Sequence, residues 1–337
     1  MLKEETEKEL HIGAIHLGGF FDVIAHTRKD HQPKFQFGTF ELDLEYHYDP
    51  FSINAALDWE GDEVSVGTGV VDFHLFGHRT PPRGPIFFQK AVHLQAGRFD
   101  VPFGNDYQFF ASPDRVTLTA PLTTELVQNG GFNSDGVRIY GTWGGGDFAG
   151  YWIDSLYDSG GTSAGGRMGI GLREFRVYRP YKPARPRMRE LSAGLSGVVD
   201  WDEEDHVANV VYGADFNIKA EWLQLRGEWI WRDEQQSGID EDQAAWHLTL
   251  IGELAPWFNW PLRPYVRYGR WSPRFNFIVV NGRSYAVRST PRFTIGLNYT
   301  VHHHLALKLE YFTLLGTSDR HSQLPDERGM AQLVVNF

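Results

Sequence analysis

The sequence predicts an all-β protein, a transmembrane antiparallel β-barrel of about sixteen strands. Three observations carry this. First, RFTIGLNYTVHHHLALKLEY places Phe293, Ile295, Leu297, Tyr299 and Val301 on one side of an extended chain. Arg292, Thr294, Gly296, Asn298 and Thr300 fall on the other. The pattern then repeats, with Leu305, Leu307, Leu309 and Tyr311 opposite Ala306, Lys308 and Glu310. Period two marks strands with one apolar and one polar face. The short link at His302–His304 makes the pair an antiparallel hairpin, and each half has roughly the 9–11 residues a tilted strand needs to cross a bilayer. Second, aromatic residues reach 15% and glycines number 36, while only 42% of residues are apolar and the mean hydropathy is −0.37. A barrel reconciles these values, because only alternate residues touch lipid and aromatics gather at the bilayer interfaces. Third, there is no apolar run long enough for a membrane helix, and nothing resembles the apolar core of an export signal.

In chain order, MLKEETEKEL (residues 1–10) reads as an exposed charged leader, with an export signal expected to have been removed ahead of it. The barrel is expected over 11–337. The stretch 11–25 puts Ile15, Leu17, Phe21 and Val23 on one face and His16, Gly18 and Asp22 on the other. In 37–48, Phe40, Leu42, Leu44, Tyr46 and Tyr48 alternate with Thr39, Glu41, Asp43, Glu45 and His47. Asp49-Pro50 turns into 51–60, with Phe51, Ile53, Ala55, Leu57 and Trp59 outward, and GDE turns back into 64–76. HRTPPRGP precedes 89–99. Residues 100–133 then form the longest segment without strand periodicity, and such segments in compact domains usually serve function.

Alternation resumes at 135–143 and, after GGGD, at 148–157. DSGGTSAGG is expected as a glycine-rich loop before a strand at 167–178, whose pattern slips near Glu174–Phe175 as a bulge would make it. RPYKPARPR leads to 188–200, and the acidic WDEEDH to the hairpin 207–219 and 221–231. Strands at 244–254, 263–271, the two of the opening hairpin and 328–337 complete the set. This gives roughly 21 residues per strand and connection, with fourteen strands as the alternative count because two of the expected short turns are long.

The outward middles of these strands carry almost only apolar residues and glycine. A lysine at the lipid midplane would cost about 2–4 kcal/mol, so lipid enforces such segregation. A soluble sandwich also alternates, but the strand lengths and aromatic ends favour a membrane. The chain has no cysteine, which removes disulfides, thiolate metal sites and thiol nucleophiles together. A net charge of −11 argues against nucleic acid as a partner.

LQAGRFDVPFG (Leu94–Gly104), SDGVRIYG (Ser134–Gly141), LQLRGEWIW (Leu223–Trp231), FTIGLNYTVHHHLALKLEYF (Phe293–Phe312) and the terminal AQLVVNF (Ala331–Phe337) resemble the phosphate-selective porin O and P family of outer-membrane porins. The resemblance covers most of the chain from about residue 36. It implies a sixteen-stranded, usually trimeric, water-filled pore in the bacterial outer membrane that passes small hydrophilic solutes or ions, narrowed by an in-folded third loop. It also implies that Phe337, with Leu333 and Val335, is read by the barrel-assembly machinery. The family's N-terminal coiled coil, its ladder of lumen arginines and its phosphate-clamping lysines are not traceable here, so phosphate selectivity is not carried over.

Within the long loop, Asp106, Asp114, Arg115 and Glu125 are expected at a pore constriction. They would face a lining of Arg98, Arg138, Arg226, Arg267, Arg292 and Lys308, with opposed charges setting a transverse field. Against this stands a loop that merely caps the barrel outside. Glu41, Asp43 and Glu45, with Asp58 on the next strand, form an acidic stripe that predicts weak selectivity leaning to cations. His302–His304 reads as a solvated turn, since consecutive residues point in different directions, and the fourteen histidines show no metal motif. No G-x-S-x-G elbow, P-loop or H-E-x-x-H is present, so neither an enzyme nor a cofactor is expected. Trp59, Trp143, Trp222, Trp229 and Trp257 are expected as interface anchors. A barrel with a plugged lumen that binds a partner is the competing reading.

Overall fold

The computed structural model describes residues 10–12, 15–28, 32–77, 86, 90–173, 189–220, 222–235, 242–255, 260–273, 277–280, 283–286, 289–315 and 327–337. Sixteen long strands close into one antiparallel barrel. They are β1 (Ile15–Arg28), β2 (Lys34–Tyr48), β3 (Phe51–Glu60), β4 (Glu63–Gly77), β5 (Ala91–Asp100), β6 (Asn133–Trp143), β7 (Gly146–Asp154) and β8 (Gly160–Arg173). The second half comprises β9 (Arg189–Asp202), β10 (Val207–Ala220), β11 (Leu223–Glu234), β12 (Gln243–Gly252), β13 (Leu262–Pro273), β14 (Thr290–His302), β15 (Leu305–Leu314) and β16 (Glu327–Asn336). A short segment, Leu10–Ile12, folds back on β1. A small hairpin, Phe277–Val280 with Arg283–Ala286, forms a separate sheet between β13 and β14.

Closure runs from β16 to β1, with Asn336 opposite Phe20 and Arg328 opposite Arg28. Phe337 and Gly19 exchange backbone hydrogen bonds of 3.0 and 3.2 Å, and the Phe337 ring stacks on Phe40. Both ends of the barrel chain therefore lie at one rim, here the terminal rim. Closure satisfies every ladder, as lipid demands of a spanning sheet.

The alternation read from sequence is the alternation observed. Ile170, Met168 and Leu195 are 72%, 76% and 68% exposed on the outside, whereas Asp72, Thr294 and Lys308 inside are 0%, 0% and 1% exposed. With Val71, Leu94, Ile139, Leu250, Ile295 and Leu309 also exposed, the outer surface is a belt of apolar side chains that lipid, not water, would solvate. Of the expected anchors, Trp143, Trp222 and Trp229 lie exposed outside, and Trp257 falls outside the described residues.

Two local readings change. The stretch expected as a glycine-rich loop is the first half of β8. The inward Tyr151 ring and Val198 occupy the space above Gly165, where any Cβ would collide with them. Glycine there makes room for a neighbour instead of breaking the strand. In β4 the register shifts opposite Ala56 and Leu57, so Val64 and Val66 face outward before the bulge and Val71 and Leu75 after it. The bulge expected near Glu174–Phe175, the connections HRTPPRGP and RPYKPARPR, and most of the leader lie outside the described residues.

Candidate functional site in the barrel lumen

The connection 101–132 leaves β5 at the rim opposite the termini and folds back inside the barrel. Its neck is closed by a 2.8 Å bond from Val101 N to Phe132 O. A 3-10 turn (Asp106–Phe109) and a π-helical turn (Thr123–Val127) give it shape. Its apolar residues Val101, Phe103, Leu122, Val127 and Phe132 pack on inward Phe99, Ile153, Val198, Val211 and Ile230. Tyr157 donates to Val127 O at 2.8 Å, and Val116 forms a second contact with Ile251 and Tyr265. Burial pushes the Tyr107 hydroxyl above the usual phenol range and keeps it neutral.

Polar ties then pin the loop around the wall. On β8, Arg167 donates to Gly104 O (2.7 Å) and pairs with Asp215 of β10. Ser196 of β9 accepts from Gly104 N (3.0 Å), and Glu228 of β11 accepts from Asn105 N (3.2 Å). His247 of β12 meets Thr123 Oγ1 at 3.2 Å. Arg267 of β13 donates to Thr119 O (2.9 Å) and Oγ1 (2.7 Å). On β14, Arg292 binds Glu125 (2.5 Å) and Ala120 O, and Asn298 donates to Val116 O (3.1 Å). Glu310 of β15 accepts from Leu118 N (3.0 Å), Thr119 N (3.2 Å), Thr119 Oγ1 and the Tyr265 hydroxyl (2.6 Å). Lys308 donates to Ser112 O (2.5 Å), and Ser112 donates to Asp22 of β1 (2.6 Å).

Of the residues expected at a constriction, Asp106, Asp114, Arg115 and Glu125 are all on this in-folded segment. Asp106 accepts from Arg115 at 2.8 Å and from Thr124 at 2.8 Å. Glu125 and Arg292 touch, Arg226 lies over the Phe109 ring (4.0 Å), and Arg267 holds loop carbonyls. These arginines act as clamps. Arg138 is inward as expected, bound to Gln95 and the Asp100 carbonyl (both 2.8 Å).

Arg98 corrects the expectation. It shares the outward alternation with Leu94, while Gln95 and Phe99 face in, and it forms a bidentate pair with Asp135 at 3.0 and 2.8 Å. The sequence numbered it from the wrong face of β5.

The anchorage runs from β8 round to β1. In the sector β2–β4, the inward face carries Glu41, Asp43, Glu45, Ser52, Asn54, Asp58 and Asp72. Between the loop and the β11–β13 wall, a cavity of about 30 Å³ is bordered by Asp106, Arg115, Arg226, Glu228, His247 and Arg267.

A cluster not foreseen from sequence lies on the inner wall of β3–β5. His74 and His93 are cross-strand partners with Nδ1 atoms 3.0 Å apart. His93 Nδ1 lies 3.2 and 3.1 Å from the Asp72 carboxylate oxygens, and Ser52 Oγ is 3.1 Å from His74 Nε2. The signal was present: Asp72 and His74 are two apart on one strand face, and His93 follows on the next strand. His302–His304 instead form an exposed turn with rings 3.7–5.6 Å apart.

No family model matches this chain, and no curated protein sequence does. Solved structures match closely in fold. An anion-selective porin from Comamonas acidovorans aligns over 96% of this chain and 98% of its own, at TM-score 0.62 and 11% identity. The outer-membrane protein OmpT of Vibrio cholerae aligns over 98% and 100%, at 0.62 and 10%. The outer-membrane channel DcaP of Acinetobacter baumannii aligns over 96% and 97%, at 0.56 and 10%. The chain has the fold of an outer-membrane β-barrel. The likenesses include a porin and a channel, and nothing in them narrows the fold to the phosphate-selective family.

Proposed function

We propose that this chain, over 11–337, is a bacterial outer-membrane porin that passes small hydrophilic solutes or ions by diffusion. The inward-folded loop 101–132, tied to the wall from β8 round to β1, carries this reading. Such a loop narrows a lumen while leaving a path along β2–β4. Among the described residues no protein donor reaches Asn54 Oδ1 or Asp58 Oδ1 on that wall. An unmet buried acceptor costs about 1–3 kcal/mol, which water in a bore removes. Carboxylates at 41, 43, 45 and 58 make the path weakly cation-preferring. That preference is drawn from this wall and differs from the anion selectivity named for the Comamonas protein.

The chain is read as non-catalytic. Among the described residues Ser52, His74 and Asp72 have the composition of a hydrolytic triad, but His74 Nδ1 lies 3.8 Å from Asp72 Oδ2 and closer to His93, outside the geometry of a base held by its acid. Homotrimeric assembly accords with the trimer form described for the Vibrio protein, and the native mass in detergent tests it.

The apolar contacts and ion pairs between loop and wall favour a second reading, a barrel plugged by its loop. Deleting 106–126 separates the two. A porin conducts as wild type, and its unitary conductance rises by at least twofold in the variant. A plugged barrel conducts only after the deletion, and unchanged conductance removes the constriction.

A further inference from the structure

We propose that Asp72, His74 and His93 form a binding site for a divalent transition metal of the Zn²⁺ type on the inner wall of the barrel. Asp72 and His74 sit two residues apart on β4, so both side chains project inward, and His93 faces them from β5. Asp72 and His93 are buried, and the His74 side chain is 6% exposed. Their ligand atoms converge: Nδ1 of His74 to Nδ1 of His93 is 3.0 Å, His93 Nδ1 to Asp72 Oδ2 is 3.1 Å, and His74 Nδ1 to the same oxygen is 3.8 Å. A tetrahedral ion with bonds of about 2.0–2.1 Å holds its ligand atoms about 3.3 Å apart, within the observed spread. Small shifts of three side chains would admit it.

The donor set argues for a cation over a proton. His93 Nδ1 faces another imidazole nitrogen and both oxygens of a carboxylate, yet carries at most one hydrogen. With each imidazole proton on the far nitrogen, both Nδ1 lone pairs and the carboxylate oxygens converge on one point, where a single cation can take all of them. Outer partners set the rings. Ser52 Oγ engages the far nitrogen of His74 and leaves Nδ1 pointing into the cluster, the arrangement typical of metal-bound histidine. The His93 ring stacks on Tyr140, with centroids 5.0 Å apart and planes 10° from parallel. Two imidazoles and one carboxylate suit Zn²⁺, Cu²⁺ or Ni²⁺ better than Ca²⁺ or Mg²⁺, which take oxygen ligands. Three protein ligands leave a fourth position for water or a solute group. The bound ion would tie β4 to β5 and add positive charge beside the acidic wall.

The test is titration of the full-length, detergent-folded protein with Zn²⁺ by calorimetry, and with Co²⁺ by absorption in the visible. The proposal expects one equivalent bound, with tetrahedral Co²⁺ bands. His74→Gln and His93→Gln should each weaken binding by at least 100-fold, and Ser52→Ala by about tenfold, the scale of lost outer-shell partners. Retained heat-modifiable migration on gels shows that each variant is still a barrel. Replacing His302, His303 and His304 together by alanine should leave the affinity unchanged. No stoichiometric binding by the wild-type protein overturns the proposal. So does binding that survives in His93→Gln or disappears with the turn histidines.

Discussion

Glu310 makes three hydrogen bonds to the loop, and replacing it by glutamine tests whether the loop is held as described. Four donors meet its two oxygens: the backbone N–H groups of Leu118 and Thr119, the Thr119 hydroxyl and the Tyr265 hydroxyl. A carboxylate oxygen accepts without donating, and Oε2 takes three of these bonds and Oε1 the fourth. Charge-assisted bonds are roughly twice as strong as neutral ones, about 1.5–3 against 0.5–1.5 kcal/mol net. Three of the four bonds go to the loop, so Glu310→Gln should cost about 3 kcal/mol of docking. That is about a 100-fold fall in the ratio of docked to undocked loop. The ties to Arg267, Arg292, Asn298 and Lys308 remain, so the loop stays docked on average. Hydrogen exchange of the Leu118 and Thr119 amides reads local opening directly. It should accelerate by one to two orders of magnitude, and single-channel records should gain brief wider states. Exchange within threefold of wild type would refute the assigned role of Glu310.

Three other predictions follow from the wall, a glycine and the seam. A carboxylate about 6 Å from a passing ion contributes roughly 0.7 kcal/mol in water, which salt screening about halves. The variant Glu41→Gln/Asp43→Asn/Glu45→Gln should therefore lower cation enrichment about fivefold and shift the reversal potential in a salt gradient toward the anion value; no shift places the ion path elsewhere. Gly165→Val would drive a side chain into Tyr151, Val198 and the Gly197 carbonyl. It should cost about 1–3 kcal/mol or more through overpacking and lower the thermal midpoint of the heat-modifiable form, whereas an unchanged midpoint contradicts the packing assigned to β8. Phe337→Ala removes the ring stacked on Phe40 and should reduce the assembled fraction in cells several-fold, with normal assembly arguing against terminal recognition.

The barrel was legible because lipid imposes one rule on every strand. Arg292 to Tyr311 showed it most cleanly, and the inward faces of Arg292, Asn298, Lys308 and Glu310 are those the alternation assigned. Where a strand served two masters, the reading slipped. Gly165 and its neighbours looked like a loop because the ring that fills the gap belongs to β7. Arg98 falls on the outward parity of Leu94, so the spacing of its own strand places it outside; only its partner Asp135, on the adjacent strand, is hidden from local spacing.

The loop was visible as a break in periodicity, but its seat was not recognised. The seat had a signature: GVVDW (197–201), NVVYG (209–213) and EWIW (228–231) carry apolar residues on both faces. Val198, Val211 and Ile230 turn inward to meet Phe103, Leu122 and Val127. A lumen filled only with water would not keep them. The contacts of the loop charges are not legible from local spacing: Asp106 meets Arg115 and Thr124 within the folded segment, and Glu125 meets Arg292 on a strand 167 residues away. The Asp72–His74–His93 cluster was missed for a related reason, since its third member arrives from a neighbouring strand.

Current through single molecules of the wild-type protein in a planar bilayer with a salt gradient tests the account most directly. A barrel narrowed but not sealed by its loop gives discrete steps and a reversal potential displaced modestly toward the cation value. A bilayer that stays silent with correctly folded protein would contradict it, and so would a strong anion preference.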